Sequence, residues 1–378
     1  MFMEYAIWGA WSPVLAARLL GPLKFSGKQT GWIYGILFLA CIISPLIAGQ
    51  ITDRWINTEY FLAAAHLFGG ILLFVAAGKK TFGSLLAAMG LYSLAFAPTI
   101  PLVNSLMFSH LTDPNNQSPG IFIWACVAWV LVGLILAGWR RLKGSGDGKD
   151  CLILAGILSL VMGAFCFFLP ATPPKGSPDA LLPFVKAFSL LAEPNFLFFI
   201  VISFVVTTQL QFYYLGTAQY LENIGVKNRN VPAAMSIAQF TQGLVTVFVL
   251  SWLLKLGFRW TLAAGLLSWL LMYLAYASMR PRWFVVSSQA LHGIAYVLFI
   301  ITGQIYVDSV APNDIKGSAQ ALLTVVTMGL GFFLGTQFTG IVMDRLKREG
   351  RFRWRPIFLV PCVLTGACVI VFVLFFKG

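Results

Sequence analysis

Long apolar runs separated by short polar links repeat from one end of the chain to the other. Each run is about 20 residues long, which is what an α-helix needs to cross a bilayer core. The runs fall at about 2–20, 31–51, 59–77, 83–106, 119–139, 151–169, 194–220, 231–255, 258–279, 282–306, 316–343 and 355–376. Runs of this kind predict helices, since barrel strands alternate apolar and polar positions over about 10 residues. The pattern therefore predicts an all-α integral membrane protein with twelve transmembrane helices. One link differs from the rest. Residues 170–193 contain Pro170, Pro173, Pro174, Pro178 and Pro183 with Lys175 and Lys186, and a proline-rich polar connector marks a domain boundary. Two six-helix bundles are expected, at 1–169 and 194–378.

Composition agrees. Of the 378 residues, 59% are hydrophobic and 10% charged, with a mean hydropathy of +0.83, whereas soluble domains carry roughly 25% charged residues. The net charge of +13 lies mainly in short loops, which suits anionic lipid headgroups more simply than nucleic acid. The six cysteines show no metal-ligand spacing and no disulfide framework, and are read as packing residues. Met1–Leu20 has no basic leader and no small-residue cleavage site, so it is expected to be a first span of the mature chain. No nucleophile elbow, HExxH, phosphate loop or paired carboxylates occur. Neither an enzyme nor a metal or cofactor site is expected. Gly144 to Gly148 is glycine-rich but has no strand before it, and reads as a flexible link.

The densest polar load inside an apolar run is Thr207 to Tyr220. At helical spacing Thr207, Gln211 and Tyr214 share one face, while Gln209, Tyr213 and Tyr220 lie near another. Polar groups in hydrocarbon must face a cavity or a neighbouring helix. The stretch is thus either part of a solute pocket or glue between helices. Three further stripes are polar or aromatic at helical spacing: Phe122, Cys126 and Trp129; Ser236, Gln239 and Gln242; His292, Tyr296 and Phe299.

Two short motifs also repeat. Gly49, Asp53 and Arg54 end the second run, and Gly340, Asp344 and Arg345 end the eleventh. Both lie in the middle span of a three-span unit, as expected for a chain of four triplets with inverted repeats. The Gly49–Arg54 motif resembles the loop between spans 2 and 3 of the major facilitator superfamily. There the glycine would let helices approach and the Asp-Arg pair would bridge helix ends in one state of a transport cycle. An ordinary helix stop at the headgroups is the alternative, because the residues after Arg54 depart from the pattern.

Nearly end to end, the chain resembles the nucleoside:proton symporter family within that superfamily. The resemblance rests on Ile7 to Trp11, Ala97 to Asn104, Ile121 to Trp124, Gln209 to Gln211, Asn223 to Val226, Ser236 to Gln239 and Gly303 to Val307. It implies a substrate pocket at the bilayer midplane lined by Phe122, Cys126, Trp129, Gln211, Tyr214, Gln239, Gln242, His292 and Tyr296. Amides can bond both edges of a base and the ribose hydroxyls, and aromatic rings can stack on a base. The alternative is that these polar stripes only knit the helices together.

The chain departs from the family where charge is concerned. Phe122 stands where the pattern has an arginine, Gln242 where it has an acid, Met272 where it has an arginine and Val297 where it has an aspartate. Losing both signs together avoids leaving a buried charge without its partner. Proton coupling needs a titrating group in the pathway, and those left in the spans are Glu4, His66, His292 and Asp308. Glu4 and Asp308 lie near span ends and are expected to be exposed there. Glu4 and His292 are the coupling candidates, and proton symport is in doubt.

The resemblance also places both termini in the cytoplasm of a cell carrying the protein in its inner membrane. The loops then inside hold six Lys and Arg and those outside eighteen, opposite to the usual bias. The sequence thus points to a secondary transporter of nucleosides working by alternating access, with a neutral molecule and the bilayer as partners and protons in question. A carrier of another neutral solute, or a non-transporting sensor of the same fold, are the alternatives.

Overall fold

The computed structural model describes residues 1–112, 114–144, 147–174, 188–312 and 316–377, without the side chains at 45, 46, 50, 53, 114–116, 118, 119, 251 and 316–318. Most of the predicted linker, with Lys175, Pro178, Pro183 and Lys186, lies outside the described residues. Contacts group the chain into two compact units. The first is Met1–Pro178 with Val226–Ser236, and the second is Asp179–Gly225 with Ile237–Gly378. Helical segments stand in each predicted run, and among the described residues nine are long and apolar enough to cross a membrane.

In the first unit, the opening run is two helices, α1 (Phe2–Trp11) and α2 (Leu15–Leu20). Pro13 lies between them and has no N–H to continue the ladder. Then come α3 (Gly27–Arg54), α4 (Thr58–Gly78), α5 (Phe82–Phe96), α6 (Thr99–Ser109), α7 (Pro114–Lys143) and α8 (Asp150–Cys166). Helix α3 starts on a capping box, Ser26 Oγ accepting from Gln29 N at 3.0 Å and Gln29 Oε1 from Ser26 N at 2.9 Å. The run expected at 83–106 is divided before Thr99, around Ala97 and Pro98.

Small residues set the crossing of α4 and α8. A β-carbon at Gly70 would come 2.9 Å from Leu160, and one at Gly163 2.7 Å from Leu67. Glycine lets two helices this close pack without an apolar driving force between them. Arg140 at the end of α7 ties the unit's edge. Its Nε and Nη2 donate to the Asp150 carboxylate at 2.6 and 2.8 Å, and its Nη1 to Asn228 Oδ1 at 3.1 Å. Both partners of the Arg140–Asp150 pair are buried.

The second unit opens with α9 (Pro194–Asn223), whose proline occupies the first turn, where no N–H is missed. Then follow α10 (Val231–Phe248), whose first turns group with the first unit, the short α11 (Leu250–Leu253) and α12 (Phe258–Ala277). The next two runs are not continuous α-helices. One is α13 (Arg282–Ser288), α14 (Ala290–Ala295), a π-helical stretch Tyr296–Ile301 and α15 (Thr302–Val310). The other is α16 (Lys316–Thr324), a π-helical stretch Val325–Gly331 and α17 (Phe332–Arg345). A small hairpin, β1 (Lys347–Arg348) and β2 (Arg351–Phe352), turns through Glu349 and Gly350 at positive φ before α18 (Trp354–Phe375).

Candidate functional site

Aromatic side chains of the second unit gather around His292. Its ring is fully buried and stacks on Tyr213, with centroids 3.8 Å apart and planes 15° from parallel. Tyr214 meets it edge-on at 6.1 Å, Trp269 at 6.2 Å, and Tyr296 lies tilted at 6.5 Å. Trp269 Nε1 donates to His292 Nδ1 at 3.3 Å, so the other ring nitrogen carries the hydrogen of a neutral imidazole. That Nε2 is buried with no hydrogen-bond partner among the described residues.

Close backbone contact fixes where this ring sits. A β-carbon at Gly293 would overlap Ala238 O and come 2.6 Å from Gln242 N. The glycine thus lets α14 lie directly on α10, and the His292 stripe sits beside the helix bearing Gln239 and Gln242. Both glutamines are half-buried. Helix α9 is held against α17 in the same way. A β-carbon at Gly335 would come 2.6 Å from Thr208 O and 2.8 Å from Gln211 Cγ, and one at Gly331 would overlap the Thr207 hydroxyl. Gln211 is fully buried by this crossing, and neither its Oε1 nor its Nε2 has a partner among the described residues. Most buried polar groups are satisfied, and this amide is an exception among the described residues.

In the first unit, Trp129 is half-buried and lies against α1. Its ring is 6.0 Å from Trp8, and a β-carbon at Gly9 would come 3.0 Å from it. Cys126 is half-buried one turn before it, and Phe122, 37% exposed, is 6.3 Å from Phe108. The second unit brings His292, Tyr214 and Tyr296 into one cluster.

Two residues of that cluster were not placed there by the sequence reading. Tyr213 stacks on His292 and donates to Gln289 Oε1 at 3.3 Å, and Trp269 supplies the hydrogen bond that sets the imidazole tautomer. Tyr213 stood in the polar stretch, but its helical face pointed away from Gln211 and Tyr214. No sequence pattern paired it with position 292. Met272 is fully buried, and Val297 joins a cluster with Val245, Leu250 and Leu298.

Two expectations need correction. Glu4 is not exposed at a span end but about 1% accessible, with His66 and Thr99 beside it. The apolar run places it at the end of a span only if chain order is taken for depth. Close approach at Gly49 is not seen either: a β-carbon there would meet nothing within 4 Å among the described residues. Arg54 is exposed, and the side chain of Asp53 lies outside the described residues. Asp308 is exposed as expected.

Comparison with known proteins agrees with this architecture. The sequence matches the family described as Nucleoside H+ symporter over residues 1–378. It is 32% identical to YegT of Escherichia coli (strain K12), covering 100% of this chain and 92% of that protein. It is 25% identical to the nucleoside permease NupG of the same organism, covering 100% and 94%, and 26% identical to its xanthosine permease, covering 100% and 93%. A crystal structure of the nucleoside transporter NupG superposes with a TM-score of 0.88 at 23% identity, covering 100% of this chain and 97% of that one. The fold is the all-α major facilitator fold, in a multi-pass membrane protein.

Proposed function

This chain belongs to the nucleoside H+ symporter family, and from that premise we propose that it carries nucleosides across the cytoplasmic membrane by alternating access. Its relatives are permeases rather than enzymes, and its partner is a small-molecule substrate. The observation that carries the reading is Gln211, whose buried amide offers two donors and an acceptor with no protein partner among the described residues. A base edge or a ribose presents the matching groups. Tyr214 lies one turn beyond it on the same helix and meets the His292 and Tyr296 cluster of the second unit, and Gln239 and Gln242 are further candidate amides. Phe122, Cys126 and Trp129 are the first unit's candidates for the same pocket. The twelve crossings, the two-bundle division and cytoplasmic termini belong to this proposal.

Uptake of labelled nucleosides in a transport-deficient host tests it. Uptake above background, lost in Gln211→Ala and Gln239→Ala, is expected. No uptake of any nucleoside would count against it. A second reading, a carrier for another neutral solute, draws on Phe122 and Val297, which put apolar side chains where the family has charge. A stability screen of the solubilised protein against nucleosides and other neutral solutes separates the two. Orientation is tested by labelling engineered loop cysteines with an impermeant reagent; labelling of 345–355 only from inside would reverse the topology.

A further inference from the structure

We propose that Glu4, His66 and Thr99 form a proton-binding site in the first unit, at a position none of the substituted family charges occupies. The inference rests on the transport reading above and supplies its missing ion. Three helices deliver the three groups: Glu4 from α1, His66 from α4 and Thr99 from the first position of α6. Glu4 Oε2 lies 2.9 Å from His66 Nε2, and both side chains are 2% exposed or less. The two atoms approach without the alignment of a full hydrogen bond, and His66 Nδ1 has no partner among the described residues. On the other carboxylate oxygen, Thr99 Oγ1 lies 2.7 Å from Glu4 Oε1.

The Thr99 hydroxyl is the informative part. Its oxygen is also 2.6 Å from Phe96 O, a carbonyl that can only accept. A hydroxyl has one hydrogen and two lone pairs. With its hydrogen on Phe96 O, Thr99 accepts from a protonated Glu4 carboxyl. With its hydrogen turned to Glu4, it serves the carboxylate. Rotation of one O–H therefore satisfies the acid in either protonation state. The segment that holds it follows directly on the break at Ala97 and Pro98, which ends α5 and places Phe96 O beside Thr99.

His66 completes the charge balance. One proton shared by the pair gives either a neutral acid beside a neutral imidazole or a carboxylate beside an imidazolium, and both sum to zero. Removing that proton leaves a buried carboxylate with only the Met1 amino group as a facing cation. Release therefore favours a conformation in which water reaches Glu4, and the proton's occupancy biases the equilibrium between states. In chemical terms, H+ from water forms an O–H bond on the carboxylate, and the same bond breaks to return H+ to water; no electrons are transferred. The titratable groups facing Glu4 are His66 on α4, Tyr92 on α5, Cys166 on α8 and the Met1 amino group. His66 is itself held by Ser159 on α8, whose hydroxyl donates to its carbonyl at 2.8 Å. Helix α1 also links this site to a pocket candidate, since one turn beyond Glu4 it carries Trp8 and Gly9, against which Trp129 rests.

The test uses the full chain in proteoliposomes with uridine as the probe. An acid-outside gradient is expected to drive uridine accumulation in the wild type. Glu4→Gln and His66→Gln are expected to lose that accumulation and to give counterflow that no longer varies with pH. Gradient-driven accumulation that survives in Glu4→Gln overturns the site, and so does counterflow in the wild type with no response to the gradient. Thr99→Val, which keeps shape and removes only the hydroxyl, is expected to shift the pH midpoint of counterflow; an unchanged midpoint contradicts the proposal even where Glu4→Gln does not fold. A readout independent of transport separates this inference from the transport reading. Infrared titration of the solubilised protein is expected to show a buried carboxylic-acid band that is lost in Glu4→Gln, and its absence from the wild type would sink the proton site whatever the substrate.

Discussion

Gln211 is buried with four hydrogen-bonding valences open among the described residues, a condition that ordinarily costs about 1–3 kcal/mol for each group left unmade. Gln211→Leu is therefore expected to hold or raise the thermal unfolding midpoint while nucleoside transport is lost. A destabilisation above about 1 kcal/mol would mark the amide as structural. Arg140 and Asp150 give the opposite case, since their carboxylate and guanidinium are paired at 2.6 and 2.8 Å. Asp150→Ala removes the carboxylate from a buried guanidinium and is expected to cost about 3–5 kcal/mol, much of it recovered in the double variant Arg140→Met with Asp150→Leu. Thermal melts of the three variants check this. The sequence made the amide-and-aromatic stripes of α9, α10 and α14 legible through helical spacing. It did not make Glu4 legible, because the partners that bury it, His66 and Thr99, come from distant helices and no periodicity joins them.

At the scale of elements, hydropathy located every helical run, because a hydrocarbon environment leaves the backbone few other solutions. The breaks beside Pro13 and Pro98 were not read from the sequence, because proline also sits inside continuous helices, as Pro361 does in α18. The two π-helical stretches, Tyr296–Ile301 and Val325–Gly331, are not legible there either. Each adds a local widening that only tertiary packing can favour, and such widenings cluster at functional sites. Both stand in the second unit, one starting at Tyr296 and the other leading into the Gly331–Gly335 crossing against α9. Close backbone packing makes these elements intolerant of added volume. Gly293→Ala would drive a methyl group into the backbone of α10 at Ala238 and Gln242. It is expected to destabilise the protein by about 1–3 kcal/mol and to abolish transport by moving His292 relative to Gln242. Melting temperature and uptake measured on the same preparation check both parts, and a variant of normal stability and activity would refute the close approach.

For the whole molecule, the family and the major facilitator fold were legible in the order and spacing of short motifs, while the site's electrostatics had to come from coordinates. Gln242, Met272 and Val297 carry no charge in the second unit, which under the proposal suits a neutral solute. The first unit keeps a buried histidine beside a buried acid, Glu4, that the linear pattern had assigned to a span end. The two proposals thus put substrate recognition and ion binding on different helices, Gln211 and His292 for one and Glu4 and His66 for the other. Nucleoside counterflow in proteoliposomes, with a panel of purine and pyrimidine nucleosides loaded inside and labelled outside, tests the central claim most directly. Transient accumulation of label that needs internal nucleoside and disappears in Gln211→Leu is the predicted result. Liposomes that carry folded protein and show no counterflow with any nucleoside would contradict it.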